Sequence, residues 1–352
     1  MAAKKAAKRA AKKTAKGKPL PAAMLDLIIG YWVSQMVHVA AKLGLADLLK
    51  KGPKSPAELA RSAGADPLSV HRLLRALASV GVFAERKDGR FALTPLAATL
   101  RSDRPDSMRA FAVMIVEDYN WMAWGDVLES VQTGRAAFDR VHGMRIFDYL
   151  GKHPDKAREF GEAMTSISGA ENPAVAAAYD FSKAGTIVDV GGSHGHLLAA
   201  ILKANPRLKG VLFDMAPVLE QARKAPYVGA GDVARRVELA PGDFFDSVPE
   251  GADLYIMKYI LHDWDDDLCV KVLVNCRRAM VPGGKVLVVD TVIPPVNGPH
   301  WGKLLDINML VGTGGRERTR SEFVHLFERG GLRLTRVIPT ASPVSIVEGV
   351  SA

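Results

Sequence analysis

The sequence predicts an α/β chain in two parts. A C-terminal, doubly wound and mostly parallel sheet of seven strands follows a small, mainly helical winged-helix unit. Three observations predict this. From residue 185 onward, strand patterns alternate with helical ones. A glycine-rich turn, Gly191-Gly192-Ser193-His194-Gly195, joins the first of those strands to a helix. Upstream, two capped helices and a hairpin succeed one another within residues 55–93.

A length of 352 residues suits about two domains, and 48% apolar residues can fill their cores. The net charge of +9 is concentrated at one end: eight Lys and Arg side chains precede residue 20, no acid precedes Asp26, and the remainder is +1. An Ala/Lys segment cannot bury a core, so residues 1–20 are expected to be a disordered basic tail. It lacks the apolar run of a secretory leader. Cys269 and Cys276 fall two turns apart on one helix face, too far for a disulfide, which fits a reducing cytoplasm. No membrane span is expected. The most apolar stretch, Leu25 to Leu49, is broken by Asp26, Gln35, His38, Lys42 and Asp47, and reads as a helix buried in a core or a dimer interface.

The winged-helix unit is placed at 21–105. Ser55-Pro56-Ala57-Glu58 supplies an N-cap, a first-turn proline and a capping-box acid, and Gly64 a stop. Asp66-Pro67 caps a second helix with Val70, Leu73, Leu74 and Leu77 on one face, and Val82–Leu93 folds back at Asp88-Gly89. Such a unit can bind DNA, and the second helix carries His71, Arg72 and Arg75. It offers few polar side chains to base edges, so packing and dimerisation are the favoured use. Residues 106–175 read as a helical linker with a cluster of large side chains, among them Phe147 and Met164. They can wall an apolar ligand pocket or serve as ordinary core.

The sheet domain is placed at 176–352. Strands are expected at Thr186–Val190, Gly210–Asp214, Val237–Leu239, Ala252–Tyr259 and Lys285–Asp290, with Leu332–Ile338 and Ser345–Gly349 as an antiparallel hairpin at one edge. Gly191, Gly192 and Gly195 let a ligand approach the backbone where a helix begins, which suits a phosphate or a carboxylate. The pattern is GGxxG, not the dinucleotide GxGxxG. Asp189, just before the glycines, suits a cationic amino group such as that of S-adenosylmethionine. Asp214 can accept from ribose hydroxyls. Asp243 and Phe244 offer an acceptor and an apolar wall for adenine, although Asp243 alone can be a turn residue.

His262 follows the fourth strand and can take a proton from a substrate hydroxyl near neutral pH. A phenol, with a pKa of about 10, needs that help to attack a methyl group, and no metal is required. Asp290 and Glu317 are the carboxylates that can orient the ring. Helix capping for His262 and arginine pairing for both acids are equally compatible with the spacing.

These motifs resemble the S-adenosylmethionine-dependent O-methyltransferases, the class that includes plant caffeate, animal hydroxyindole and bacterial polyketide- and phenazine-tailoring enzymes. The likeness runs from about residue 22 and is carried by VDVGGSHG, LFDM, GDFF, MKYILHDWDD, PGGKVLVVD and GGRERT. It implies a Rossmann-like methyltransferase domain, a homodimer built on the winged helix, and no specific nucleic-acid partner. It implies cofactor contacts at Gly191, Asp214, Asp243, Phe244 and Lys258, with His262 as base flanked by Asp290 and Glu317. It places Met164 and Met309 at the acceptor pocket. Position 290 is Asp where plant relatives carry Glu, and the Ala/Lys tail has no counterpart.

The expected reaction is SN2 methyl transfer to a phenolic hydroxyl, with S-adenosylhomocysteine as product. The rivals within the fold are N- or C-methylation and cofactor-assisted decarboxylation or hydroxylation. The rivals outside that chemistry are a DNA-binding regulator and, more distantly, an NAD dehydrogenase.

Overall fold

The computed structural model describes residues 18–224, 227–229 and 231–352, so the expected tail lies almost wholly outside the described residues. Contacts divide the chain into two units. One runs to Trp121 and includes Asp155–Ile167; the other comprises Met122–Pro154 and Ser168–Ala352. The stretch 106–175 is therefore shared between them.

The first unit contains α1 (Leu20–Ile28), α2 (Gly30–Lys42), α3 (Pro56–Ala63), α4 (Pro67–Ser79), the hairpin β1 (Phe83–Glu85) and β2 (Phe91–Leu93), and α5 (Arg109–Met114). The caps form as expected. Ser55 Oγ accepts from the Glu58 N–H at 3.3 Å, and Glu58 Oε2 accepts from the Ser55 N–H at 2.8 Å. Asp66 Oδ1 accepts from the Ser69 N–H at 2.8 Å. Each cap contributes about 1 kcal/mol. Gly64 ends α3 at φ +64, a conformation that costs glycine least. The apolar faces meet in a core of Leu45, Leu59, Leu74, Leu77, Phe83 and Phe91.

One expectation needs correction. Leu20–Lys42 is a 23-residue helical stretch long and apolar enough to cross a membrane, by length and composition alone. Nor is its N-terminal half core: Leu20, Met24, Leu25, Leu27, Ile28, Tyr31 and Trp32 are all exposed. The charges that interrupt Leu25–Leu49 fall too sparsely to offset the apolar residues of the stretch that starts at Leu20. The buried reading holds for the later part of the stretch, where Ala40, Ala41, Leu45, Ala46 and Leu49 join the core, and fails for the part up to Trp32.

The second unit holds α6 (Ile146–Lys152), the end of α7 (Pro154–Ala178), and then an alternation. In order come β3 (Thr186–Val190), α8 (His196–Ala204), β4 (Lys209–Asp214), α9 (Ala216–Ala222), β5 (Val237–Pro241), β6 (Leu254–Lys258), α10 (Asp266–Ala279) and β7 (Lys285–Asp290). The short strands β8 (Val292–Ile293) and β9 (Arg318–Thr319) flank α11 (Trp301–Gly312). Next are α12 (Arg320–Arg329), β10 (Leu332–Pro339) and β11 (Ser345–Ser351).

The sheet order is β10-β11-β7-β6-β3-β4-β5. β3 to β7 are parallel, and the β10–β11 hairpin closes one edge with β11 antiparallel to both neighbours. Helices cover both faces of the central strands, which explains the continuous apolar runs of β6 and β7. Asp265 caps α10 through the Leu268 N–H at 2.9 Å, and Cys269 and Cys276 on that helix are buried and free. The carboxyl ends of β3, β4, β6 and β7 bring Asp189, Asp214, Lys258 and Asp290 to one edge of the sheet, flanking the switch in strand order at β3.

Candidate active site

The turn after β3 is a cradle with no room for side chains. Gly191 has φ +67, and a Cβ there would lie 2.5 Å from Ile260 Cδ1 and 3.5 Å from Phe244 Cε1. A Cβ on Gly192 would lie 2.6 Å from Asp189 Cγ, and one on Gly195 2.6 Å from Val228 Cγ1. Ser193 sits at φ +52 without being glycine, a strain of about 1–3 kcal/mol. Its N–H donates to Asp214 Oδ2 at 2.8 Å, and the Met215 N–H donates to Oδ1 at 2.7 Å. Asp214 thus holds the loop in place while keeping acceptor capacity, since a carboxylate can accept about four bonds.

Asp189 lies beneath Gly192 with 1% of its surface exposed. Burial, and then the nearby Asp214, push its carboxyl up to about 7. Its Oδ2 has no hydrogen-bond partner among the described residues. A buried, unpartnered carboxylate oxygen beside a side-chain-free turn fits a ligand carrying an ammonium group. These residues therefore suit S-adenosylmethionine and not a pyrophosphate. Phe244 packs against Phe245 and Trp264, with ring centroids 4.7 and 6.3 Å away. Asp243 accepts from the Phe245 N–H at 2.8 Å, the turn role that its spacing had left open.

Lys258 has a partner that the sequence did not disclose. Its Nζ lies 2.7 Å from Glu171 Oε2, 2.9 Å from Ser168 Oγ and 3.0 Å from Asn172 Oδ1, all on α7. Tyr259 donates its hydroxyl to Glu171 Oε1 at 2.8 Å and stacks on His262 at 5.0 Å. Loss of solvent holds the Lys258 ammonium below its usual range, against the pull of Glu171. A direct cofactor contact by this ammonium has to compete with that ion pair.

His262 is 7% exposed and sits in a 3-10 turn, Leu261–Asp263, after β6. It caps no helix; Asp265 does that. Its Nδ1 lies 2.7 Å from Glu317 Oε1. The Glu317 N–H donates to Asp306 Oδ1 at 2.9 Å, which fixes the acid from behind. Burial, then repulsion from Asp306, push the Glu317 carboxyl up to about 8. Neither Asp290 nor Glu317 forms a surface arginine pair among the described residues.

Asp290 takes a different part from the one expected. Its Oδ1 accepts from the Tyr259 N–H at 3.1 Å, and Oδ2 has no partner among the described residues. It makes no hydrogen bond to His262, although the two are close enough to interact electrostatically. Instead it secures Tyr259, a non-glycine residue at φ +56. Burial holds its carboxyl up at about 7. Asp263 is the nearer second acid, with Oδ1 3.7 Å from His262 Nε2.

Phe147 stacks on Trp264 at 5.6 Å, next to the histidine turn. Met309 is buried on α11, which leads into the Glu317 loop. Met164 belongs to the other unit. No group of three or more metal-binding side chains occurs among the described residues.

Residues 124–333 match the O-methyltransferase domain, and residues 25–103 match the O-methyltransferase dimerisation domain. The chain belongs to the O-methyltransferase family. This methyltransferase is 47% identical to phenazine O-methyltransferase PhzM of Lysobacter antibioticus, covering 94% of this chain and 96% of that one. It is 43% identical to the mitomycin biosynthesis 6-O-methyltransferase of Streptomyces lavendulae, covering 92% of each. The structure is similar to an O-methyltransferase from neocarzinostatin biosynthesis, solved with S-adenosylmethionine and 2-hydroxy-5-methyl naphthoic acid. The TM-score is 0.79 at 33% identity, covering 91% and 96% of the two chains. A further relative, 34% identical over 90% of this chain and 92% of its own, is the phenazine-1-carboxylate N-methyltransferase of Pseudomonas aeruginosa. The cofactor of this methyltransferase is S-adenosylmethionine.

Replacing Asp214 with Ala should weaken cofactor binding by about 10-fold or more, because a charged acceptor and the anchor of the Ser193 turn go together. Calorimetry with S-adenosylhomocysteine checks this. Unchanged affinity would remove Asp214 from the cofactor site.

Proposed function

We propose that this enzyme methylates a hydroxyl group on a small aromatic molecule, with His262 as general base and Glu317 fixing its tautomer. The observation that carries the reading is the 2.7 Å contact between Nδ1 and Glu317 Oε1. With Nδ1–H donating to the acid, Nε2 is left as the free lone pair, and Glu317 stabilises the imidazolium that forms. S-adenosylmethionine, held at Gly191, Gly192, Gly195, Asp189 and Asp214, supplies an electrophilic methyl group on sulfur. The chain's task is to make the acceptor oxygen nucleophilic and to hold it in line. The Phe147–Trp264 stack, the buried Met309 and the naphthoic acid named in the related structure support a flat, apolar acceptor.

The N-methylating relative keeps a second reading open. An aromatic amine attacks through its own lone pair and needs no proton removed first, so a held base favours oxygen. The working form is a homodimer, supported by the dimerisation match and by the exposed apolar side of α1 and its continuation to Trp32. A second chain covers that side, and neither a bilayer nor a specific DNA site is a partner. Two buried, reduced cysteines suit a cytoplasmic location.

The test is a panel of phenols, aminophenols and aryl amines with methyl-labelled cofactor, read by product mass and fragmentation. The expected product from an aminophenol is the methyl ether. Exclusive methylation of the amine would overturn the reading.

A further inference from the structure

Arg318 is unusually buried for an arginine, with 1% of its surface exposed. Its Nη1 donates to the Leu261 carbonyl at 2.9 Å, and its Nη2 to the Trp264 carbonyl at 3.1 Å. Those two carbonyls bracket the 3-10 turn that carries His262. Nη2 and Nε both reach Asp266 Oδ1, at 2.8 and 3.2 Å. Cys269 Sγ donates to the same Leu261 carbonyl at 3.1 Å. A buried guanidinium is costly unless its donors are met. Asp266 meets only part of that need, and two of the remaining bonds go to the backbone of the histidine turn.

Arg318 also follows Glu317 directly in the chain. It pairs with Val292 in the short ladder of β8 and β9, two residues beyond the end of β7. The acid that holds the imidazole and the guanidinium that holds its turn therefore share one short backbone segment. Any slip of that segment moves both ends of the Nδ1–Oε1 contact.

We propose that Arg318 is a positioning residue for methyl transfer: its guanidinium clamps the turn bearing His262 against the strand segment bearing Glu317, and so sets the direction of Nε2. The proposal rests on the reading of His262 as the base. Lysine cannot replace the clamp, because a single ammonium on a flexible stem lacks the planar fork that spans two carbonyls.

The experiment compares Arg318→Lys, His262→Ala and the double variant in the whole enzyme, with an acceptor found active in the phenol panel. The readouts are kcat, acceptor KM, and affinity for S-adenosylhomocysteine by calorimetry. For Arg318→Lys, kcat should fall about 100-fold, as for a catalytic group displaced by about 1 Å, with KM and cofactor affinity within about threefold of the parent. The double variant should be no slower than His262→Ala, since a clamp has nothing to hold once the imidazole is gone. A kcat within about threefold of the parent, or a loss that multiplies that of His262→Ala, overturns the clamp. If the lysine variant does not fold, Asp266→Asn takes its place, as it frees the guanidinium from its anchor at a half-buried carboxylate. Its kcat should fall by about 3- to 10-fold, and only when His262 is present; a parental kcat overturns the clamp equally. Full activity of His262→Ala would instead sink the base reading, so the two failures are told apart.

Discussion

His262→Ala should lower kcat by about 100- to 10,000-fold, the contribution of a positioned general base, while affinity for S-adenosylhomocysteine stays near that of the parent. The separation follows from placement. His262 stands on the turn after β6, with its Nδ1 tied to Glu317, whereas the glycine cradle and Asp214 belong to the ends of β3 and β4. Removing the imidazole leaves the cradle alone. Glu317→Gln should also be slow, because an amide can present N–H to Nδ1 and so select the wrong tautomer. The pH–rate profile distinguishes this from simple misfolding. In the parent, activity should rise with pH as the Glu317 carboxyl, held up at about 8 by burial, loses its proton and can accept from Nδ1. Without that carboxyl the ascending limb near pH 8 should be lost, with a lower plateau. Undiminished turnover of His262→Ala from about pH 6 to 9 would refute the base assignment.

Most of this arrangement could be read in the sequence, for identifiable reasons. Capping boxes, strand periodicity and glycine turns are local signals, so α3, α4 and the five parallel strands were accessible without tertiary information. The order of Asp189, Asp214 and His262 at strand ends was accessible too, since parallel topology sends those ends to one side. What escaped depended on contacts remote in sequence. Glu171 and Asn172 lie in an Ala-rich helical stretch and look like solvent-facing residues until the fold places Lys258 and Tyr259 against them. Asp290 and Glu317 were equivalent as partners of His262. Only the folded state separates them, with Glu317 at Nδ1 and Asp290 accepting from the Tyr259 N–H. Arg318 lay inside a motif already singled out, GGRERT, but a charged residue next to other charged residues carries no sequence signal of burial.

The glycines of that motif show how space, not backbone conformation, can dictate a residue, and they yield the second large effect. Gly314 has φ +76 and meets the usual requirement for glycine. Gly315 does not; its backbone would accept alanine. A Cβ there, however, would overlap the His262 carbonyl oxygen and lie 2.5 Å from the Asp263 carbonyl carbon. Both are backbone atoms and cannot rotate aside, so the turn carrying the base must move. Overpacking of this kind costs about 1–3 kcal/mol, and a shift of the base by about 1 Å costs about 100-fold in rate. Gly315→Ala should therefore lose about 100-fold in kcat, with a lowered melting temperature and intact S-adenosylhomocysteine binding. Gly312→Ala, in the last turn of α11 with open space around its Cβ, is the matched control and should be neutral or slightly stabilising. Equal activity of the two variants would mean that the close approach of Gly315 does not set the position of His262. A loss confined to Gly315→Ala would tie the rate to where that turn rests.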